Sequence, residues 1–156
     1  MEIVYRPIGV IRSEHKEPRG TPIQPCAAEG CRGVVEVHPE YAAGLKDLDG
    51  FSHVILVYHF DRSRPWRALV RPFLDDEEHG VFATRSPARP NPIGISVVRL
   101  YGVRDNILEV ECVDALDGTP LLDIKPYVPA FDAGGEVRIG WLEGRIGRAP
   151  QRRDDG

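Results

Sequence analysis

The stretch VFATRSPARPNPIGIS, residues 81–96, decides the predicted fold because it joins two apolar runs that have strand character. Its three prolines each fix φ at about −65° and remove a backbone hydrogen-bond donor. The loop is therefore stiff before it folds, and ordering it costs little conformational entropy. Such a frame holds its polar side chains at nearly fixed separations, and those side chains are Arg85, Arg89 and Asn91.

Two interpretations of these three side chains stay open at this point. They either form a preorganised recognition site, since a rigid loop lowers the cost of binding, or brace the loop through local hydrogen bonds. Two guanidinium groups and a carboxamide on so stiff a loop favour the recognition site.

The composition indicates a soluble protein with one domain. A chain of 156 residues, 42% of them hydrophobic, is long enough to bury a core. No window approaches the roughly 18 consecutive apolar residues of a membrane span, and residues 1–6 lack the apolar core of a signal peptide. We therefore expect a cytoplasmic protein with no membrane partner.

The three cysteines predict neither a disulfide framework nor a metal centre. Their number is odd, and the expected compartment is reducing. Cys26 and Cys31 do not have zinc-knuckle spacing, and no second pair completes four ligands. Cys112 is expected to be a buried strand residue.

The distribution of charge is more informative than the net charge of −4. Of the 20 basic residues, 17 are arginines, and residues 62–74 and 80–104 each carry four arginines without an acidic residue. Arginine suits planar recognition of phosphate and carboxylate groups. The pattern raises the hypothesis of a locally basic face on an acidic protein.

Many short apolar runs without alternating helices predict a mainly β protein, a single antiparallel β-barrel domain with one or two short helices. A helix is expected from Pro39, with Tyr41, Leu45 and Leu48 on one face. The domain should span residues 1–143, followed by a flexible tail at 144–156. The predicted strands cover residues 3–12, 33–37, 51–60, 96–103, 107–113 and a last strand with Val137, Ile139 and Trp141 on one face.

Two motifs carry a family resemblance. Residues 82–96 and the run LDGTPLLDIKPY at 116–127 closely resemble the two signatures of the TsaA-like family, also called TrmO. The resemblance covers roughly residues 5–130. It implies a β-barrel methyltransferase that uses S-adenosyl-L-methionine, in a short form without the second domain of long bacterial members. The implied substrate is N6 of threonylcarbamoyladenosine beside the tRNA anticodon, and the implied assembly is a homodimer with the cofactor near the subunit interface.

The resemblance also implies roles for individual positions, and it implies no metal. Phe60 stands where the family has a polar residue. The implied cofactor contacts are Gln24, Pro25, Cys26, His59, Phe60, Arg85, Ile95, Leu116, Asp117, Gly118 and Thr119. The implied substrate contacts are Arg89, Asn91 and Lys125. Candidates for the proton acceptor are Asp117, Asp123, Lys125 and Tyr127, and the sequence does not choose among them.

Two other functions remain compatible with the residues. One is a methyltransferase of the same fold that acts on a small molecule or on another RNA. The other is a non-catalytic barrel that binds S-adenosyl-L-methionine or nucleic acid. A Rossmann-type methyltransferase is disfavoured, because the chain has no glycine-rich strand-to-helix fingerprint.

Overall fold

The computed structural model describes residues 1–13, 31–111 and 113–146. Within these ranges there are eight strands. They are β1 (Gly9–Arg12), β2 (Arg32–Val37), β3 (His53–His59), β4 (Leu69–Val70), β5 (His79–Gly80), β6 (Ile93–Arg104), β7 (Ile107–Glu111) and β8 (Thr119–Pro126).

Six strands form a closed barrel in the order β1-β2-β7-β6-β3-β8, and every neighbouring pair is antiparallel. The ring closes at β1, where Ile11 lies opposite Val35 of β2 on one side and opposite Thr119 of β8 on the other. The short strands β4 and β5 form a separate two-stranded sheet. The predicted mainly β fold, an antiparallel barrel with short helices, is confirmed.

The barrel interior follows from alternation along the strands. In β6 the residues at even positions from Gly94 to Leu100 are buried, while Ile93, Ile95 and Val97 face outwards. The core also takes apolar residues from each of the other barrel strands. Alternation of this kind fixes the register, because a slip of one residue exposes the whole apolar set.

The helical segments are shorter than the sequence predicts. In place of one helix, 3-10 turns span Pro39–Leu45 and Leu48–Gly50, and Asp47 between them has a left-handed backbone with φ 71°. Leu45 and Leu48 are buried as expected, whereas Tyr41 is exposed. The single α-helix among the described residues is α1, Pro129–Asp132. None of the described helices is long and apolar enough to cross a membrane.

Two strand predictions are wrong. The first strand begins at Gly9 rather than at residue 3, beyond Pro7, which has no backbone donor for a ladder. The predicted last strand is absent: Val137 and Ile139 are exposed, and a 3-10 turn spans Gly140–Leu142. The barrel is already closed through β1 and β8, so it offers this segment no free edge.

One end of the barrel, named here the signature end, gathers both sequence motifs. It comprises the end of β3 at His59, the start of β6 at Ile93 and the start of β8 at Thr119. His59 pairs with Ile93, and Tyr58 pairs with both Gly94 and Leu121. The loop 81–92 and the turn 116–119 therefore project from neighbouring strands.

Gly94→Ala should destabilise the barrel, since Gly94 faces two aromatic rings at the signature end. A Cβ there would overlap the Tyr58 ring and lie 2.6 Å from Cζ of Phe60. We expect a loss of about 1–3 kcal/mol in the free energy of unfolding, measured in urea. Gly102→Ala in the same strand is the control, because its Cβ would meet nothing within 4 Å. Equal stability of the two variants would contradict this packing.

Candidate functional site

Arg89 braces the proline-rich loop from within. Its Nη1 donates to three backbone carbonyls, at 3.1 Å to Val81, 2.8 Å to Thr84 and 3.2 Å to Ser86. The side chain lies 5.8 Å from the centre of the Phe82 ring. This geometry favours the bracing interpretation for Arg89, and its predicted contact with substrate stays a prediction.

Arg85 and Asn91 are the exposed polar side chains of the same loop. Neither side chain makes a hydrogen bond or an ion pair within the described ranges, although the Asn91 carbonyl accepts a bond from the Ile93 amide at 2.7 Å. Loop rigidity therefore comes from Arg89, and Arg85 keeps its guanidinium donors available for a ligand.

The outer side of the loop rests on the segments around β4 and β5. The Val81 amide donates to the Ala68 carbonyl at 2.9 Å, and the Arg67 amide donates to the Ala88 carbonyl at 3.1 Å. Val70, Val81 and Ala88 form a small buried cluster beneath these bonds. The loop is thus packed on one side and open on the side that carries Arg85.

A C-terminal segment also holds the loop. Nε1 of Trp141 donates to the Ala83 carbonyl at 2.8 Å, and the Trp141 ring stacks on His79 with centroids 4.4 Å apart. His79 is hydrogen-bonded to Asp75 at 2.8 Å, which lowers the pKa of that carboxyl, and Arg145 lies 3.8 Å from it. The boundary at residue 143 stays a prediction, and Arg145 beyond it contacts the domain.

The turn 116–119 is fixed by its own hydrogen bonds and by β1. Thr119 donates to the Leu116 carbonyl through its hydroxyl at 2.6 Å and its amide at 3.1 Å. Gly118 has φ 86°, a left-handed backbone that glycine adopts without strain, and its amide donates to the Ile11 carbonyl at 2.8 Å. The turn is therefore a rigid element of the signature end.

Asp117 links this turn to two other segments through hydrogen bonds. Its Oδ1 accepts a bond from the Ser13 amide at 2.9 Å, and its carbonyl accepts one from Nη2 of Arg62 at 2.7 Å. Arg62 follows β3 and also lies 3.6 Å from Asp61. These contacts tie the turn to β1 and to the end of β3.

A buried polar cluster connects the loop with the turn. Tyr58 Oη lies 2.6 Å from Ser96 Oγ, Ser96 donates to Asp114 Oδ1 at 3.1 Å, and Tyr58 donates to the same oxygen at 3.5 Å. The single Ser96 proton is directed at Asp114, so the one Tyr58 proton serves both acceptors within its reach, Ser96 Oγ at 2.6 Å and Asp114 Oδ1 at 3.5 Å, as a bifurcated bond.

The electrostatics of this cluster depend on burial and on Arg85. Burial raises the pKa of Asp114 to about 6, while hydrogen bonds and the nearby Arg85 guanidinium act to lower it. Burial, foremost, and the Asp114 charge raise the pKa of Tyr58, and Arg85 again opposes the shift. Arg85 of the loop is therefore electrostatically coupled to Asp114, three residues before Asp117.

The sequence interpretation missed Asp114, Ser96 and Tyr58. A signal was present, because Ser96 occupies an inward position between apolar inward positions of β6. A polar residue at such a position needs a buried partner.

His59 and Phe60 border the site and contribute in different ways. The Phe60 amide donates to the Pro92 carbonyl at 2.7 Å, and the Phe60 ring meets Tyr58 edge-on with centroids 5.5 Å apart. His59 is half-buried at the end of β3. Phe60 thus packs under the loop, and its predicted contact with a cofactor stays a prediction.

The other predicted proton acceptors lie away from the loop. Asp123 and Lys125 form an ion pair of 2.9 Å, and the Tyr127 amide donates to the His53 carbonyl at the opposite end of β3. Six residues of strand, roughly 20 Å, separate Lys125 from Thr119. Within one chain, the structure does not bring Lys125 or Tyr127 together with Arg85.

Some predicted features lie outside the described residues. These are Gln24, Pro25, Cys26 and the side chain of Cys112. Cys31 is disulfide-bonded, which corrects the expectation of no disulfide. No group of three metal-ligating side chains occurs in the described part of the chain. A cavity of about 290 Å³ lies beside Arg67, whose amide is bonded to the loop at Ala88. Another of about 420 Å³ lies beside Tyr41.

The bracing role of Arg89 predicts a difference between two arginines of one loop. Arg89→Leu removes the donor to three carbonyls and should lower the free energy of unfolding by about 1.5–3 kcal/mol. Arg85→Leu changes an exposed side chain and should stay within about 0.5 kcal/mol of the wild type. Urea unfolding followed by tryptophan fluorescence measures both, and equal losses would show that Arg89 does not brace the loop.

Comparison with known proteins agrees with this arrangement. The model of the tRNA-methyltransferase O N-terminal domain matches residues 10–133. A "Probable S-adenosyl-L-methionine-binding protein" of Pyrococcus abyssi is 60% identical over 99% of this chain and 84% of its own length. The tRNA (adenine(37)-N6)-methyltransferase of Escherichia coli is 42% identical over 80% of this chain and 57% of its own length.

Solved structures of similar sequence have the same fold as this chain. A crystal structure of TrmO from Pseudomonas aeruginosa superposes with a TM-score of 0.76 at 41% identity. The match covers 90% of this chain and 63% of that protein, so this chain spans less than two thirds of its length. Because the family model covers most of the barrel and both motifs, the chain belongs to the tRNA-methyltransferase O N-terminal domain family.

Proposed function

We propose that this protein binds S-adenosyl-L-methionine and transfers its methyl group to N6 of an adenine in tRNA. The proposed adenine carries the threonylcarbamoyl group and lies beside the anticodon, and the proposed location is the cytoplasm. The observation that carries the proposal is that both family signatures meet at one end of the barrel, where Arg85 acts on Asp114.

The residues at the signature end fit the chemistry of this cofactor. The exposed Arg85 guanidinium has the donors that a carboxylate binds in a bidentate manner. The turn 116–119 offers backbone groups that its internal bonds hold in place. When bound, the cofactor supplies an electrophilic methyl carbon on a sulfonium sulfur.

The protein's own contribution is positioning and electrostatics. The hydrogen bonds from the Arg89 side chain to three backbone carbonyls, and from Trp141 to the Ala83 carbonyl, fix the loop before a ligand binds. Methyl transfer is an in-line displacement, so holding both reactants in a near-attack geometry supplies much of the rate. Asn91, exposed on the same loop as Arg85, is proposed to contact the tRNA base or the carboxylate of its threonyl group.

The test is nucleoside mass spectrometry of tRNA incubated with the protein and S-adenosyl-L-methionine. We expect the threonylcarbamoyladenosine to gain one methyl group with the wild type. Arg85→Ala should lose at least about 100-fold in rate. Arg104→Ala is the control, since Arg104 pairs with Glu109 at the opposite end of the barrel.

The outcomes separate the alternatives. Methylation of another nucleoside or of a small molecule would replace the substrate but keep the reaction. Calorimetry with S-adenosyl-L-methionine identifies a non-catalytic barrel if binding occurs without transfer to any acceptor. No binding at all would refute both the enzyme and the cofactor.

A homodimer is part of the proposal, and its interface is proposed on the outer face of β6. Ile93, Ile95 and Val97 are 41%, 50% and 42% exposed along one row. Val57 of β3, which is half-buried, lies opposite Ile95 and widens the apolar surface. A contiguous apolar patch with charges at its edge is typical of a protein interface.

This dimer would also place Asp123 and Lys125, which lie away from the loop within one chain, at the border of the interface. Asp123 lies opposite Val57 on β8 and Lys125 lies opposite Ile55, so their ion pair borders the apolar row. A twofold axis through this face would carry Lys125 of one protomer towards the partner.

Val97→Arg should convert a dimer into a monomer, because it buries a charge in the proposed interface. Light scattering coupled to gel filtration measures the mass at micromolar concentration. Val137→Arg, at an exposed apolar residue outside the barrel strands, is the matched control. A monomeric wild type, or a Val97→Arg variant that stays dimeric, would exclude this interface.

A further inference from the structure

Asp114 is a half-buried carboxylate beside the turn 116–119. Its neighbours Val113 and Ala115 are 1% and 4% exposed, and it lies between β7 and the turn 116–119. Both side-chain hydrogen bonds that the described residues make to this carboxylate fall on Oδ1, from Ser96 and Tyr58. They orient the group without using Oδ2, and the Asp114 amide adds a backbone hydrogen bond to the carboxylate.

The charges around Asp114 suit a proton acceptor. Within the part of the chain that the structure describes, the titratable and charged groups that act on it are Tyr58 from β3 and Arg85 from the loop. Burial raises its pKa to about 6, so the group is ionised at neutral pH and still more basic than an exposed aspartate. A carboxylate tuned upwards in this way is a recurrent general base.

The other candidates are engaged elsewhere. Asp117 accepts a bond from the Ser13 amide, and Asp123 is paired with Lys125 at 2.9 Å. The hydrogen bond from Lys125 to Asp123 raises the pKa of the lysine, which keeps it protonated and unfit as a base. Tyr127 lies at the opposite end of the barrel.

We propose that Asp114 accepts the proton from the target nitrogen during methyl transfer, an inference that rests on the proposed function. The proton moves from N6 to Oδ2 of Asp114. The N–H electron pair stays on nitrogen as the nitrogen forms the new N–C bond, and the C–S pair returns to sulfur. The positive charge of the sulfonium is thereby exchanged for a proton on the carboxylate, so no further co-reactant is needed.

Asp114→Asn tests this role, because it keeps the shape and removes the basic oxygen. We expect kcat for tRNA methylation to fall at least about 100-fold, with KM for tRNA and the affinity for S-adenosyl-L-methionine within about twofold. Asp49→Asn, in an exposed 3-10 turn, is the matched control and should retain the wild-type rate. A kcat for Asp114→Asn within threefold of the wild-type value would overturn the proposal.

Ser96→Ala provides a second readout that does not depend on replacing the carboxylate. It removes a donor that stabilises the charged form, so the acid limb of the kcat profile, near pH 6 in the wild type, should move to higher pH. An acid limb that stays in place in Ser96→Ala would also overturn the proposal.

Stability against pH gives a readout apart from activity. The folded-state pKa of Asp114, about 6, lies above its ordinary value of 3.8, so the folded state holds the proton more tightly. The wild type should therefore lose stability relative to Asp114→Asn as pH rises from 4 to about 7. A constant difference would overturn the proposed ionisation. If the wild type itself methylates nothing, the proposed function fails, which differs from failure of the Asn variant alone.

Discussion

Closure of the barrel through β1 is the constraint on which the rest of the site depends. β1 is only four residues long, yet it pairs with β2 and with β8 and removes both free edges of the sheet. The same pairing places the Ile11 carbonyl at the Gly118 amide. The two motifs, distant in the chain, meet because β3 pairs with both β6 and β8, and closure through β1 then fixes the turn 116–119 in its place.

The signature end combines rigid backbone with a costly buried charge. Arg89, Trp141 and the turn at Gly118 fix the backbone through carbonyl and amide contacts. Asp114 is different, because burial makes its ionisation oppose folding, and hydrogen bonds from Ser96, Tyr58 and its own amide together with Arg85 offset part of that cost. A buried group that lowers stability at neutral pH marks a functional position more reliably than one that raises it.

The sequence predicted much of the fold because the apolar runs that form strands are local signals. The strands predicted at 33–37, 51–60, 96–103 and 107–113 correspond to β2, β3, β6 and β7. Closure is not a local signal, so the apolar residues Val137 and Ile139 predict a strand for which the closed barrel has no free edge.

For the site, the sequence identified the right segments and left the roles of their residues open. Arg85 and Arg89 lie four positions apart in one motif. Only the three backbone carbonyls that Arg89 reaches show that Arg89 braces the loop while Arg85 does not. Asp114 escaped notice because its partners Tyr58 and Ser96 come from two other strands. A motif therefore identifies which residues lie near a site. Their individual roles depend on which side-chain donors are already hydrogen-bonded to backbone carbonyls and which are left for a ligand.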